Sequence, residues 1–316
     1  MIPERKAALL AVVGLALATG EAGAQTFETL IGQANAAEQG GRYGDASRLW
    51  SEAYAISGGD PTFLFLAASS AGEAGDADTT LQLLRRALEV GFFVPPDKLE
   101  AQDAFAGLRS DARWDPLLAD ARERYAGYDL DLRTELLDLA RRDQESRAGI
   151  DTVMARYGRE SPQGDSVMTA LAAADAPIQK RLFEILEAHG WPGRRMVADD
   201  GAHAAWLIVQ HAPAAEQRKA LPMLKDAARA GDARPSDVAY LEDRLRVTDG
   251  KPQRYGTQLS SPDAGGAPRL APIADEACVD RRRAEALLEP LADYLRRFGV
   301  EYDGPPGECE PKGGRR

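Results

Sequence analysis

Apolar residues three or four positions apart recur along most of the chain, and this spacing predicts helices rather than strands. Two such stripes lie in the second half of the chain and consist of Leu132, Leu136, Leu139 and Ala140, and of Ile178, Leu182, Ile185 and Leu186. The segment Ala204–Val209 is apolar on every side, which predicts a helix at the centre of a fold. We therefore predict an all-α protein in which helical hairpins precede a second helical domain with irregular loops.

The hairpins are predicted from a period of about 34 residues between Phe27 and Gly91. Positions one period apart carry similar residues: Leu30 and Leu64, Ala34 and Ala68, Ala37 and Ala71, Trp50 and Leu84, Ala53 and Ala87. Small residues recur where the two helices of a hairpin must approach each other, and larger ones where the next hairpin packs. The pattern resembles the tetratricopeptide repeat, a helix-turn-helix unit of this length. Residues 95–125 are then expected to form a closing cap.

This resemblance implies a concave surface, formed by residues 26–126, that binds a peptide or a partner protein. The alternative is a stacking or spacing segment without a ligand, because so short an array has only a small groove.

Three further helices are predicted toward the C-terminus. Residues 218–229 form one that Pro222 interrupts, and residues 236–247 form another with Ser236 as its N-cap. Residues 259–275 are rich in Pro, Gly, Ser and Ala and predict an irregular loop. A last amphipathic helix, ending near Phe298, must be kinked or restarted at Pro290.

Residues 1–24 have the pattern of a secretory signal peptide. Arg5 and Lys6 precede the apolar run Ala7–Ala18, and small residues before Gln25 mark a cleavage site. Such a run is too short for a spanning helix, which needs about 20 residues. We therefore expect a periplasmic or secreted bacterial protein with no stable membrane insertion after cleavage.

The mature chain keeps the formal net charge of −11, because the charges within residues 1–24 cancel. An acidic protein repels nucleic acid and anionic membrane surfaces, so no nucleic-acid partner is expected. His203 and His211 are eight residues apart, too far along a helix to bind one metal ion together. Neither a metal site nor a cofactor is predicted.

The two cysteines, Cys278 and Cys309, lie well apart in the chain and lack Cys-x-x-Cys spacing. In an oxidising compartment they can form a disulfide, which would stabilise the fold by about 3–4 kcal/mol. The alternative is two free thiols, since Cys309 lies in a tail rich in Gly, Pro and charged residues.

Polar residues extend both apolar stripes. Asp143 and Arg147 continue the first stripe and are four residues apart, so they can pair on one helix face, with Gln144 beside them. His189 continues the second stripe, directly before a helix-ending glycine. Burying polar groups is costly unless they are hydrogen-bonded. We therefore expect these residues to converge with Gln210 and His211, which end the apolar helix.

Five motifs occur in the order Asp143-Gln144-x-x-Arg147, His189-Gly190-Trp191-Pro192, Gln210-His211-Ala212, Tyr240-Leu241-x-Asp243-Arg244 and Gln253-x-Tyr255-Gly256-Thr257-Gln258. Together they resemble an uncharacterised bacterial family, a domain of unknown function, over about residues 129–298. The resemblance implies a domain boundary and groups the motif residues, but it implies no chemistry. The predicted organisation is a signal peptide (1–24), a repeat segment with its cap (25–126), a helical domain (127–300) and a flexible tail (301–316).

Three roles fit the motif residues. They can be hydrogen-bonded buried groups that lock helices together. They can also form a pocket for a small ligand or peptide, since Gln and His offer paired donors and acceptors suited to amides or sugars. The binding residues would then be Gln144, Arg147, Trp191, Gln210, Arg244, Gln253, Tyr255 and Gln258.

The third role is hydrolysis of a periplasmic amide or polymer. His189 or His211 would be the general base, with its pKa set by burial and by Asp143 or Asp243. No sequence motif of known mechanism supports this role. The leading hypothesis is therefore a protein-interaction or ligand-binding protein of the bacterial cell envelope, with hydrolysis as the alternative.

Overall fold

The repeat period of the sequence corresponds to two helical hairpins in the computed structural model, which describes residues 26–158, 161–260, 268–305 and 307–309. The hairpin helices are α1 (Phe27–Gln39), α2 (Tyr43–Ile56), α3 (Thr62–Glu73) and α4 (Ala77–Glu89). The predicted signal peptide, residues 1–24, lies outside the described residues.

The two hairpins repeat the same internal packing. Ala34 and Ala68 are each fully buried where the helices of a hairpin approach, and Trp50 and Leu84 fill equivalent core positions. The turns repeat as well. Gly41 and Gly75 have φ angles of 69° and 76°, a left-handed conformation that glycine adopts without a Cβ clash. Both turns therefore depend on the same local chemistry.

A closing segment covers the second hairpin. It comprises α5 (Pro96–Glu100), a 3₁₀ helix (Asp103–Leu108) and α6 (Trp114–Gly127). Phe105 and Trp114 are buried against the leucines of α4. The apolar face of the last repeat is thus covered, as a short helical array requires.

In the helical domain, the other helices pack around one central helix, α10 (Arg194–Val209). Its helices are α7 (Leu130–Glu145), α8 (Ile150–Tyr157), α9 (Pro162–His189), α10 (Arg194–Val209), α11 (Ala214–Arg229) and α12 (Pro235–Thr248). α10 contacts α7, α9 and α11, and its Ala205, Ile208 and Val209 are fully buried. The all-apolar run that predicted a central helix therefore lies in the domain core, and the all-α fold class is confirmed.

Two helix predictions were wrong in detail. Pro222 does not interrupt α11, because buried Ala220 and Leu224 on either side of it hold the helix in the core. Ser236 is not an N-cap, because Pro235 already occupies the first turn of α12. The Ser236 hydroxyl instead donates to the carbonyl oxygen of Gly58 at 2.5 Å.

The C-terminal part is a set of short elements. They are the antiparallel strands β1 (Leu259–Ser260) and β2 (Arg269–Leu270), a 3₁₀ helix (Glu276–Cys278), α13 (Val279–Glu285) and α14 (Leu291–Arg296). The predicted amphipathic helix is therefore divided, and α14 restarts directly after Pro290. Cys278 and Cys309 form a disulfide with their Cα atoms 4.6 Å apart.

The repeat segment and the helical domain meet at one edge of the hairpins. In antiparallel hairpins the α2–α3 connection and the end of α4 lie at the same edge. There Gly58 N–H donates to the Leu287 carbonyl at 2.7 Å, and Asp199 N–H donates to the Gly91 carbonyl at 2.8 Å. Arg194 Nη2 donates to the Gly59 carbonyl at 3.1 Å. We call these contacts the junction.

Candidate functional site

Asp143 and His211 form a hydrogen-bonded pair where α7 and α10 end. Asp143 lies in the last turn of α7, on the face that the apolar stripe turns toward the core, and it is fully buried. His211 Nδ1 is 2.9 Å from Asp143 Oδ2. Because an ionised carboxylate only accepts, Nδ1 carries a proton, and Nε2 of the neutral imidazole is then an acceptor. The His211 side chain is 22 % exposed, so a solute can reach the ring.

Arg147 is neutralised by two carboxylates. Its Nη1 is 2.9 Å from Asp143 Oδ1, and its two terminal nitrogens donate to Asp175 at 3.0 and 2.8 Å. A guanidinium shared in this way has little charge left for an anionic ligand. The geometry therefore makes Arg147 a residue that positions Asp143. Gln144 is exposed and donates its Nε2 to Asp143 Oδ2 at 2.9 Å.

His189 lies outside this cluster, contrary to the expected convergence. It is exposed at the last position of α9, where the helix extends beyond the core. The stripe of α9 instead continues inward at its other end to Asp175, which is 7 % exposed. Asp175 precedes Ile178 by three residues, so the same spacing rule could have found it in the sequence.

Three side chains fix the turn that carries His211. Gln217 Nε2 donates to the carbonyls of Gln210 and Ala212 at 3.0 and 2.9 Å. Gln179 Nε2 donates to the His211 carbonyl at 3.2 Å, and Arg244 Nη1 donates to the Gln210 carbonyl. The side-chain amide of Gln210 makes no hydrogen bond to any described residue. The turn is thus held rigidly while the Gln210 amide stays available.

Asp243 anchors the loop of the last motif. Its fully buried carboxylate accepts the backbone N–H groups of Arg254, Tyr255 and Thr257 at 2.6, 3.0 and 3.1 Å, and the Thr257 hydroxyl at 3.1 Å. Burial raises the pKa of the Asp243 carboxyl, and these hydrogen bonds lower it, with burial the larger effect. A carboxylate surrounded in this way is a structural hub and has no position left for a substrate.

Gln253 is a second structural residue of this loop, although the sequence made it a binding candidate. It is fully buried, and its Nε2 donates to the carbonyls of Gln258 and Ala271 at 3.1 and 2.8 Å. Its Oε1 accepts the Gln258 N–H at 2.9 Å. The Gln258 side chain is only partly buried and donates to the Thr257 hydroxyl at 3.1 Å. Only Gln258 of this pair can therefore reach a ligand.

The two aromatic candidates lie in different surroundings. Trp191 is 8 % exposed in the core of the helical domain, and its Nε1 is enclosed without a hydrogen-bond partner. Tyr255 lines an open groove of about 350 Å³ between α11, α12 and α13, beside Glu242 and Arg282. Burial raises the pKa of the Tyr255 hydroxyl. Among the described residues, neither aromatic side chain forms a hydrogen bond with Asp143 or His211.

A second histidine–carboxylate pair was missed as a site in the sequence. His203 Nδ1 is 3.3 Å from Asp237 Oδ1, and its ring stacks on Trp206 with centroids 4.9 Å apart. Trp206 Nε1 donates to the Asp237 carbonyl at 2.9 Å, so this pair is built into the core. Its signal in the sequence is weak, because His203 lies on a helix that is apolar on most sides.

The described ranges contain no cluster of His, Cys, Asp and Glu suited to a metal ion. Within the same ranges, no helix has the length and hydropathy needed to cross a bilayer.

The fold and this site define a helical domain with a buried carboxylate, an oriented histidine and shared arginines, joined to helical hairpins. Residues 130–303 match the family of unknown function DUF6624, and the chain belongs to this family. Neither a curated protein nor a solved structure matches the chain. The matched residues include all five motifs.

Proposed function

We propose that this protein is a ligand-binding protein of the bacterial cell envelope, whose helical domain holds a small polar molecule at the turn after α10. One observation carries the proposal. Gln210 and His211 are consecutive, partly exposed residues, and neither the Gln210 side-chain amide nor His211 Nε2 makes a hydrogen bond to a described residue, while other side chains hold the turn that carries them. Oriented, unused donors and acceptors on a rigid frame are what a ligand site needs.

The Asp143–His211 pair favours ligand binding over a purely structural role for these motifs. A polar residue with a purely structural role forms all of its hydrogen bonds within the protein, as Asp243 and Gln253 do. In His211, Nδ1 is hydrogen-bonded to Asp143, whereas Nε2 has no hydrogen-bond partner among the described residues. The ligand that fits such a pair of groups is an amide or a hydroxylated molecule.

The test is a ligand screen by thermal unfolding on residues 25–316, using amide, peptide and sugar panels. A ligand should raise the melting temperature of the wild type, and His211→Ala and Gln210→Ala should abolish this shift. His189→Ala is the matched control, because His189 is exposed and outside the cluster. A shift that survives His211→Ala, or the absence of any hit, would count against the proposal.

Hydrolysis is the second candidate, and the Asp143–His211 hydrogen bond is the observation that favours it. His211 Nε2 would take a proton from water, and the resulting hydroxide would attack an amide carbonyl. The C–N bond would break as the amine receives that proton, while Asp143 holds the imidazole in place. Amide turnover that is lost in His211→Ala and reduced in Asp143→Asn would support hydrolysis. Turnover unchanged in His211→Ala would reject it.

The hairpins carry a separate part of the proposal. We infer that residues 26–126 are a tetratricopeptide-like segment that docks a peptide or protein in the periplasm. The helical domain contacts α1 at its first turn, where Arg297 pairs with Glu28 at 3.1 Å, and the exposed Gly32 and Ala36 lie further along the helix. A photo-crosslinking residue at Ala36 should link to a cell-envelope protein, whereas one at the exposed Glu285 of α13 should not. Equal crosslinking from both positions would contradict this role.

Secretion is supported by the signal-like first residues and by the disulfide, a bond typical of oxidising compartments. The mature protein purified from the periplasm should begin at Gln25 by mass spectrometry. Protein that keeps residues 1–24 and stays in the cytoplasm would contradict it.

A further inference from the structure

Arg244 is a partly buried cation with no carboxylate partner. Its Nη1 donates to the Gln210 carbonyl, and no Asp or Glu among the described residues lies within 4 Å of its guanidinium. Arg147 and Arg194, which are similarly enclosed, each contact a carboxylate at 3 Å or less. Removing a guanidinium from water without a counter-charge costs free energy. A role outside the stability of the fold would explain why Arg244 occupies this position.

The surroundings of Arg244 supply no compensating charge. Burial lowers the pKa of the Arg244 guanidinium, and Tyr294 is the group that raises it. Burial also raises the pKa of the Tyr294 hydroxyl far above its ordinary value, so Tyr294 is neutral. The tyrosine hydroxyl is moreover used, because it donates to the Thr257 carbonyl at 3.0 Å. The positive charge of Arg244 is therefore not neutralised inside the fold.

Arg244 lies between the two groups of motif residues. Its guanidinium contacts the carbonyl of Gln210, the residue before His211. Its neighbour in α12 is Asp243, which anchors the loop that carries Gln258. None of the Arg244 nitrogens is both enclosed and unpaired, so the donors that do not contact Gln210 remain reachable. The Arg244 guanidinium therefore lies at the same turn that carries His211.

We propose that Arg244 is the oxyanion subsite of the ligand site, and that the ligand carries a carboxylate or phosphate group. This inference rests on the proposed ligand site at His211 and Gln210. A guanidinium presents a planar fork of N–H donors that matches the oxygens of either group. His211 and Gln210 then contact the polar, uncharged part of the same molecule. Because the protein has a net charge of −11, recognition depends on this local contact rather than on long-range attraction.

The test measures anion binding by the full mature chain at constant ionic strength. Phosphate and acetate are titrated separately against chloride, and thermal midpoints and dissociation constants are recorded. One of the two anions should stabilise the wild type in a saturable way, and which one does so distinguishes phosphate from carboxylate ligands. Arg244→Gln should weaken this binding about tenfold to a hundredfold, the usual effect of losing a charge-assisted hydrogen bond.

Arg246→Gln is the matched control. Arg246 lies on the same helix, donates to the Pro252 carbonyl at 2.6 Å, and its replacement changes the net charge equally. Anion binding should be unchanged in this variant. Arg244→Lys keeps the charge without the planar fork, so it should bind with an affinity between those of the wild type and Arg244→Gln.

A measurement by NMR on the wild type alone tests the subsite even if the variants do not fold. Anion-induced shifts of backbone amide signals should concentrate at residues 210–212 and 243–245. Absence of saturable binding, shifts concentrated elsewhere, or equal binding by Arg244→Gln would overturn the subsite. The proposed function would survive such a failure if an uncharged ligand still bound in a manner that His211→Ala abolishes.

Discussion

The Asp199 carboxylate lies 2.7 Å from Nε of Arg194, inside the junction between the repeat segment and the helical domain. Both side chains are less than a tenth exposed. Arg234 contacts the other oxygen of Asp199, and it also approaches Asp60 of the α2–α3 connection at 3.7 Å. The junction therefore contains an ion network whose central pair, Arg194 and Asp199, is removed from bulk water, while Asp60 at its edge is 31 % exposed. The two parts of the chain are expected to unfold together.

Asp199→Asn should lower the free energy of unfolding by about 3–5 kcal/mol, because it leaves the buried Arg194 guanidinium without its counter-charge. Urea denaturation followed by circular dichroism measures this loss. Asp200→Asn is the control, since Asp200 pairs with Arg133 but is 42 % exposed, and it should cost about 1 kcal/mol or less. Equal losses in the two variants would show that burial does not govern the junction.

Asp143→Ala should destabilise the protein more than His211→Ala. Without the Asp143 carboxylate, His211 Nδ1 and Arg147 lose a buried partner, at a cost of about 3–5 kcal/mol. Without the imidazole, Asp143 keeps Arg147 and Gln144, so the cost is about 1 kcal/mol. Chemical denaturation of both variants checks the order, and a larger loss for His211→Ala would make the histidine the structural member.

Gln253→Ala and Gln258→Ala separate structure from ligand binding within one loop. Removing the buried Gln253 amide leaves two carbonyls and one N–H without their partner, so a loss of about 2–3 kcal/mol is expected. Gln258→Ala removes one partly exposed hydrogen bond, so the melting temperature of this variant should hardly change. If Gln258→Ala melts as early as Gln253→Ala, the Gln258 side chain is part of the scaffold.

Glu289 should make stability depend on pH. Burial raises the pKa of its carboxyl to about 7, although Arg297 at 2.7 Å lowers it. The folded state thus holds a proton that the unfolded chain, with a pKa near 4.5, releases. This contribution to stability is complete below pH 4.5 and is lost as the pH rises to about 7, by at most about 3 kcal/mol.

Urea denaturation at pH 5 and pH 8 measures this effect, and Glu289→Gln should remove most of the difference. Glu285→Gln is the matched control, because Glu285 is exposed on α13 and should leave the pH dependence intact. A wild type that is more stable at pH 8 than at pH 5 would contradict the sign.

Reduction of the Cys278–Cys309 disulfide should lower the free energy of unfolding by about 3–4 kcal/mol, because the bond links positions separated by 31 in the chain and so closes a long loop. The melting temperature with and without reductant measures this loss. The Cys278→Ser/Cys309→Ser variant should melt like the reduced wild type and should not respond to reductant. A wild type that is equally indifferent to reductant would show that the thiols are free in solution.

The helices themselves were predictable because burial imposes a period on the sequence. The stripe from Leu132 to Ala140 indicated which face of α7 is buried, and Asp143 follows from the same period. The rule failed at His189 because periodicity does not say where a helix leaves the core. It would have succeeded at Asp175, the other end of the same stripe.

Proline was the other source of error. Pro222 and Ser236 were interpreted from local preferences, yet tertiary packing keeps α11 continuous and gives the Ser236 hydroxyl a partner 178 residues away. Local preferences amount to a few kcal/mol at most, which burial of a helix face outweighs.

The sequence by itself determined the all-α class, the repeat period, the helical domain and its family, because each is a local spacing or a motif order. Only the tertiary structure decided which motif residues have free hydrogen-bonding groups. In the structure, the side chains of Asp243 and Gln253 are fully hydrogen-bonded within the protein. His211 has one ring nitrogen without a partner among the described residues, and Arg244 has no carboxylate partner there. Hydrogen bonds and ion pairs between residues far apart in the chain depend on distance in space, which the order of residues does not contain.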